Sequence, residues 1–297
     1  MRSALSLASL LLSWNAAEAQ TSSAPTQLQV DGREVPVLGV ESSFPTLQWA
    51  PPAEQLQQVA AQVQVFSLPS GLLSWDSGKV MTAALTLQYS GPTLSSMATY
   101  SWQVRGWDAN ASSPSPYSAP GLFVTGVGAA WTAALPIWHP NASASFTFLR
   151  AELPLPESKS AIFSATAFVT ANPQPSTAGE VENGKLLAAY RLYVEGAWVG
   201  LGPGRPGNCG PICPLQGDPL PCPCSPHHWY DTYNVTALVA AAAAGRGAVT
   251  MALQNFNYPP AGHGAQNQTS QVILQVGESG GVGGQDWWRA GRDEASG

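Results

Sequence analysis

Short runs of alternating apolar and polar residues, separated by clusters of Pro, Gly and Ser, make up most of this chain. In residues 59–66 the odd positions carry Val or Ala, while positions 62 and 64 carry Gln. A period of two is typical of a half-buried β-strand. Further strand-like runs occur at 47–49, 99–107, 122–124, 146–150, 162–169, 249–256 and 272–276. The pattern predicts an all-β chain built from antiparallel sandwiches.

Two segments add detail to this picture. In residues 190–200, apolar positions alternate on both sides of the pair Glu195-Gly196, which indicates a two-residue hairpin. Residues 237–244 are mostly Ala, which favours a helix, and Gly245 is a typical stop. We expect one short helix there, with a low-complexity loop as the alternative.

The length of 297 residues suggests about two domains. We expect a first sandwich over residues 26–126, a linker over 127–140 and a second sandwich over 141–291. Because the linker contains Trp131 and Trp138, we expect it to pack against a domain.

Ordered motifs in both units carry a family resemblance. In the first unit they include Leu47-Gln48-Trp49, Leu73-Ser74-Trp75-Asp76-Ser77-Gly78-Lys79-Val80 and Tyr100-Ser101-Trp102-Gln103-Val104-Arg105-Gly106-Trp107-Asp108. In the second they are the hairpin, Gly202-Pro203-Gly204-Arg205 and Tyr230-Asp231-Thr232-Tyr233-Asn234-Val235-Thr236. The first unit resembles a fibronectin type III or immunoglobulin-like domain. Both together resemble the N-terminal region of bacterial-type alpha-L-rhamnosidases, whose second module is a jelly-roll-like sandwich of the carbohydrate-binding type.

The resemblance implies an ancillary role in a glycoside hydrolase. In that family the catalytic acid and base lie in a helical barrel downstream, which we expect to fall outside these 297 residues. We therefore assign no catalytic residue here. The implied partners are a rhamnosylated glycan or glycoside and a downstream catalytic domain. The alternatives are a stand-alone secreted carbohydrate-binding module and an extracellular adhesion or scaffold protein.

Composition narrows the possible partners. Charged residues make up 10% of the chain and the net charge is −6, without a basic patch, so nucleic acid is not an expected partner. The chain contains no nucleophile elbow, phosphate-binding glycine loop or His-Glu metal motif, so no cofactor and no metal are expected.

The N-terminus predicts export. Arg2 precedes a short apolar core, and Ala17-Glu18-Ala19 has a small-x-small cleavage pattern, so residues 1–19 resemble a signal peptide. The apolar run is too short for a membrane span. Sequons that would be glycosylated in a secreted protein lie at Asn110, Asn141, Asn234 and Asn267.

All cysteines lie in an insertion that follows the hairpin, at Cys209, Cys213, Cys222 and Cys224. In an exported protein this favours two disulfides, of unknown pairing. A zinc site using His227 and His228, or free thiols, are the alternatives; the spacing of the last two cysteines around one proline argues against zinc.

Exposed aromatic rings beside polar groups are the usual means of holding a sugar. The candidates in the second unit are Trp198, Arg205, Trp229, Tyr230 and Tyr258, with core or loop packing as the alternative for each. Two features depart from the resembled family: its hairpin often has Asn-Gly where this chain has Glu195-Gly196, and the insertion at 206–228 has no counterpart there.

Overall fold

The structure is a computed structural model, and it describes residues 23–52, 57–109, 113–128, 146–155, 162–173, 187–202, 230–258, 268–278 and 285–287. Within these residues the chain forms strands and one helix. The all-β prediction is confirmed. No helix in the described ranges has the length and apolar character that crossing a membrane requires.

The first sandwich consists of ten strands in two sheets. They are β1 Thr26–Val30, β2 Arg33–Glu34, β3 Val37–Val40, β4 Thr46–Ala50, β5 Gln58–Leu68, β6 Leu72–Asp76, β7 Val80–Met81, β8 Thr86–Gln88, β9 Thr99–Asp108 and β10 Gly121–Thr125. One sheet has the order β2-β1-β4-β8 and the other β3-β10-β9-β5-β6, with β7 also paired to β5. The alternating residues predicted to face inwards, such as Val63, Trp102 and Val104, are fully buried between the sheets.

One strand pair differs from the prediction of purely antiparallel sheets. Strands β1 and β2 pair with each other in one sheet. The chain then crosses to the other sheet, where β3 runs parallel to β10. A parallel pair needs a long connection between its strands, and here the whole remainder of the sandwich provides it. The alternation of a single strand contains no information about which partner it takes.

The second sandwich has eight strands and one helix. They are β11 Phe146–Pro154, β12 Ile162–Pro173, β13 Leu187–Val194, β14 Ala197–Gly202, β15 Asp231–Asn234, α1 Thr236–Gly245, β16 Ala248–Tyr258, β17 Gln268–Glu278 and β18 Gln285–Trp287. One sheet has the order β11-β16-β13-β14 and the other β15-β12-β17-β18, with every pair antiparallel. The predicted hairpin is β13-β14 and the predicted helix is α1.

The core of this sandwich lies between its two sheets. It contains the inward residues of both sheets, together with Val239 and Ala242 from α1. The helix buries only these two residues, so it closes the core without forming a layer of its own.

The outer face of the sheet β15-β12-β17-β18 packs against the first sandwich. Phe168 and Ile273 project from this face and are buried with Met97, Val124 and Val127 of the first sandwich. The Thr99 and Ser164 hydroxyls lie 3.2 Å apart across the same contact. The two sandwiches therefore share an apolar interface, and one face of the second sandwich is closed.

Candidate functional site

The outer face of the sheet β11-β16-β13-β14, which we call the open face, carries several exposed apolar side chains. Trp198 is 66% exposed, Phe148 69% and Leu201 57%. Sandwich residues alternate between the core and the outside, and these side chains lie on the outer side of their strands. Exposed large apolar residues that cluster on one face indicate an interaction surface rather than scattered surface residues.

Strand register places two aromatic side chains directly opposite each other on the open face. Tyr193 of β13 pairs with Trp198 of β14, so both project from the same side of the sheet. The same transverse row continues through Ala252 to Arg150. Because Ala252 has only a methyl group, the row combines an aromatic platform at one end with a guanidinium at the other.

The neighbouring row carries polar groups beside this platform. Arg191 pairs with Gln254 on one side and with Leu201 on the other. The guanidinium of Arg191 lies 5.4 Å from the centre of the Phe256 ring, a cation–π contact that orients it over the sheet. No carboxylate of the described residues forms an ion pair with this guanidinium.

A charged network borders the open face at the hairpin end. The Arg246 guanidinium donates to the Glu195 carboxylate at 2.6 Å and lies 3.9 Å from Glu152. Glu152 also accepts from Arg150 at 2.6 Å. Two cations and two anions thus neutralise each other at this end of the sheet.

The same network explains the Glu-Gly turn. Glu195 and Gly196 have φ values of 51° and 76°, the left-handed geometry of a type I′ hairpin turn, in which Asn is usually favoured over Glu. The Glu195 carboxylate accepts from the backbone N–H of Thr250 and from Arg246, and its own N–H donates to the Thr250 carbonyl at 2.8 Å. These bonds offset the strain of the unfavourable residue.

A buried hydrogen-bond group lies on the inner side of the same sheet. The Tyr190 hydroxyl donates to Asp231 at 2.6 Å and lies 3.0 Å from the Tyr233 hydroxyl. Burial, and then these hydrogen bonds, raise the pKa of Tyr190, and burial also raises the pKa of Tyr233. Both tyrosines therefore stay neutral, and the group joins β13 to β15 in the other sheet.

Two glycines make room for that group. A Cβ at Gly202 would collide with Asp231 and Tyr190, and one at Gly200 would collide with Tyr233. Strand β14 can therefore lie directly over the tyrosines. This support holds the strand that presents Trp198.

Of the predicted sugar-contacting residues, the structure describes the side chains of Trp198 and Tyr230, and these two lie on different surfaces of the second sandwich. Trp198 lies on the open face, whereas Tyr230 lies at the interface of the sandwiches, where its hydroxyl accepts from the Val127 N–H at 3.3 Å and its ring meets Phe168 edge-on at 5.8 Å. These contacts correspond to the alternative in which Tyr230 packs within the protein. Tyr258 ends β16, and its side chain is not described; Arg205 and Trp229 lie outside the described residues.

Several other predictions fall where the structure is silent. The residues 1–19, all four cysteines, and the sequons at Asn110, Asn141 and Asn267 lie outside the described residues. Asn234 is described: it is exposed at the end of β15, and its side-chain carbonyl accepts from the Thr236 hydroxyl at 2.7 Å. Among the described residues no cluster of His, Cys, Asp and Glu could hold a metal ion.

Sequence reasoning missed Tyr193 and Arg191 as site residues. The signal was present in the hairpin itself, because a two-residue turn fixes which residues of the two strands face each other. Counting outward from Glu195-Gly196 gives the Val194–Ala197 pair and then the Tyr193–Trp198 pair, whereas the pairing of Arg191 with Leu201 depends on the irregularity between Leu192 and Tyr193. The hairpin does not show that β11 and β16 lie in the same sheet, because these strands pair over long distances in the sequence.

Comparison with known proteins identifies the first sandwich. Residues 25–129 match the family model "Rha78A-like, N-terminal immunoglobulin domain". An alpha-L-rhamnosidase of Alteromonas sp. (strain LOR) is 38% identical over 94 residues, which cover 29% of this chain and 10% of that protein. An alpha-L-rhamnosidase of Streptomyces avermitilis is 40% identical over 96 residues, covering 30% of this chain and 9% of that protein. The chain therefore matches about a tenth of the length of these relatives.

Solved structures extend the likeness of fold to both sandwiches. An alpha-L-rhamnosidase from Dictyoglumus thermophilum has a TM-score of 0.57 and 20% identity, covering 86% of this chain and 27% of that one. One from Aspergillus terreus has a TM-score of 0.53 and 15% identity, covering 89% and 28%. At this identity the likeness concerns the fold alone. Residues 25–129 therefore match the N-terminal immunoglobulin domain of Rha78A-like proteins, and the two relatives named above are alpha-L-rhamnosidases.

Proposed function

We propose that this chain is the ancillary, carbohydrate-contacting N-terminal portion of an alpha-L-rhamnosidase-like glycoside hydrolase, and that it contacts the glycan through the open face. The observation that carries the proposal is the pair of Tyr193 and Trp198, which face the same side of the sheet, with the Trp198 ring two-thirds exposed. An exposed ring beside polar groups offers the C–H faces of a pyranose a stacking surface.

The polar surroundings of the pair support this proposal. Gln254 and Arg191 lie one row away, and Arg150 lies in the same row beyond Ala252. Amide and guanidinium groups donate to sugar hydroxyls, so stacking and hydrogen bonding would act on one ligand. Because the Arg150–Glu152–Arg246–Glu195 network is already satisfied internally, it would frame the site rather than perform acid–base chemistry.

The test is a titration of the full chain with methyl α-L-rhamnopyranoside and a rhamnosylated glycoside by calorimetry. We expect weak binding that Trp198→Ala reduces at least about fivefold, because a stacked ring contributes about 1 to 3 kcal/mol. Leu122→Ala, an exposed apolar residue of the first sandwich, is the matched control and should bind normally. Equal binding by wild type and Trp198→Ala, or no binding by either, would contradict the proposal and favour a scaffold role.

The proposed setting is extracellular. Support comes from the signal-like residues 1–19 and the four sequons, of which Asn234 is exposed at the end of a strand. Expression in a eukaryotic secretory host should give a protein whose mass falls after endoglycosidase treatment, and Asn234→Gln should remove one glycan. A secreted product of unglycosylated mass would exclude the glycoprotein part of this proposal.

A further inference from the structure

Resting on the function proposed above, we propose that the open face selects an acidic saccharide, in which a carboxylate or sulfate of the sugar is bound by Arg191. The proposal names the chemistry of the ligand, which the platform of Tyr193 and Trp198 does not specify. Stacking on an aromatic ring does not distinguish a neutral sugar from an acidic one, so a preference for acidic sugars must come from the polar groups around the ring.

The first argument is the balance of charges on the open face. Arg150 and Arg246 are matched by Glu152 and Glu195, two cations against two anions. Arg191 is the additional cation, and in the described part of the chain it has no carboxylate partner. Among the described residues, the surface next to the aromatic platform therefore has an excess of positive charge, although the chain as a whole has a net charge of −6.

Distance keeps the acidic groups of the face away from a ligand at Arg191. The Arg191 and Gln254 row lies two rows from the row of Glu152 and Thr250, a separation of about 13 Å along the strands. This exceeds the Debye length of about 8 to 10 Å at physiological salt, so repulsion from Glu152 is largely screened. The aromatic row, by contrast, is the row next to that of Arg191, about 7 Å away along the strands.

The second argument is the arrangement of the Arg191 side chain. Its contact with Phe256 holds the guanidinium against the sheet without consuming it in an ion pair. A guanidinium presents N–H donors in a planar fork that fits carboxylate and sulfate oxygens. Phe256 lies in the row beyond Arg191, on the side away from Trp198, so the charged group that this fork binds must be carried by the part of the saccharide that extends from Trp198 past the Arg191 row.

The test compares matched ligands on the full-length chain at low and at physiological salt. The ligands are a disaccharide of rhamnose and a uronic acid, the same disaccharide after reduction of its carboxyl group, and a sulfated methyl rhamnoside. We expect the uronate form to bind about three- to tenfold more tightly than its reduced form at low salt, and less so at physiological salt. The sulfated ligand shows whether the site requires a carboxylate or accepts either anion.

Variants separate this inference from the proposed function. Arg191→Gln should bind the uronate and the reduced disaccharide with equal affinity, so that the preference for the acidic ligand is lost, and Arg191→Lys should keep part of the preference. Arg33→Gln, an exposed arginine on β2, changes net charge equally and should leave the preference intact.

The possible outcomes are distinct. Binding of the reduced disaccharide that depends on Trp198, without any gain from the carboxylate, would overturn the acidic preference and leave the proposed function standing. An acidic preference unchanged in Arg191→Gln would also overturn it. Acidic binding that depends on Arg191 but not on Trp198 would overturn the stacking proposal, and an absence of binding to all three ligands would overturn both.

Discussion

Two outer faces of this molecule contain the same kinds of side chain, but the aromatic ring is covered on one face and exposed on the other. On the first sandwich, Trp107 is only 9% exposed, because Lys79 lies 4.8 Å and Arg105 5.2 Å from the centre of its ring. On the open face of the second sandwich, Trp198 is 66% exposed, and Arg191 is stacked on a different ring. Aromatic residues and cations on a sheet therefore do not by themselves indicate a site.

The two faces differ in how many of their polar groups and aromatic rings are already in contact with neighbouring side chains. On the first sandwich Gln62 and Gln64 both donate to Asp76, and Arg105 donates to Gln62 while lying over the Tyr117 ring. Donors and aromatic faces there are consumed by neighbours. On the open face the Trp198 ring is not covered by a cation and Arg191 has no carboxylate partner among the described residues, which is why we propose that this face binds a ligand.

The largest contrast should appear in the free energy of unfolding of two Trp→Ala variants. Trp107→Ala should lose about 3 kcal/mol, because it empties a covered site and leaves two cations without their ring. Trp198→Ala should change stability by no more than about 0.5 kcal/mol, as is usual for an exposed side chain. Urea denaturation measures both. A similar loss in the two variants would show that the faces do not differ as described.

The next effect concerns the support beneath the open face. Gly202→Ala would force a Cβ against Asp231 and Tyr190, and we expect a loss of about 1 to 3 kcal/mol. Gly245→Ala at the end of α1 is the control, since nothing lies within 4 Å of its added Cβ. Thermal unfolding followed by circular dichroism compares them. A Gly202→Ala variant as stable as the control would mean that β14 does not press on the tyrosine group.

A smaller effect is expected at the hairpin that ends the open face. Glu195→Gln removes the charge that pairs with Arg246, and exposed ion pairs contribute about 0 to 1 kcal/mol. The loss of stability should shrink in 1 M salt, where the Debye length is about 3 Å. Glu34→Gln on β2 serves as the matched control. A salt-independent loss would assign the effect to the hydrogen bond with Thr250 instead.

The smallest effect lies at the closed contact between the sandwiches. Partial burial raises the pKa of the Glu41 carboxyl from 4.5. The folded protein therefore holds this proton more tightly than the unfolded chain, so Glu41 contributes stability below about pH 4.5 that is lost as the pH rises through its folded pKa.

Glu41→Gln should remove this loss. The melting temperature of the variant minus that of the wild type should increase as the pH rises from about 4 to 6. The difference between the two curves isolates Glu41 from the other acids. A difference that is flat or falls over this range would contradict the raised pKa.

The sequence by itself determined the longer strands, the β13-β14 hairpin and the helix, because alternation and turn residues act over a few neighbours. The inward residues of β9, and those of β5 from Ala61 onward, follow the period of two, and α1 ends at Gly245 as its composition predicts. A register shift between Gln58 and Ala60 buries Ala60 and leaves Val59 half-buried. Even the β1-β2 hairpin could have been found, since Asp31-Gly32 is a typical turn pair and both residues have positive φ.

Only the tertiary structure decided which aromatic residues are open and which are covered. Alternation assigns Trp107 and Trp198 equally to outer faces, and nothing local shows that Lys79 and Arg105 close over the first. Alternation also does not show that Tyr230 lies at the contact between the sandwiches, where its hydroxyl accepts from the Val127 N–H. Burial of an outer face depends on residues distant in sequence, and strand order, which brings β11 and β16 beside Trp198, depends on the packing of the whole chain.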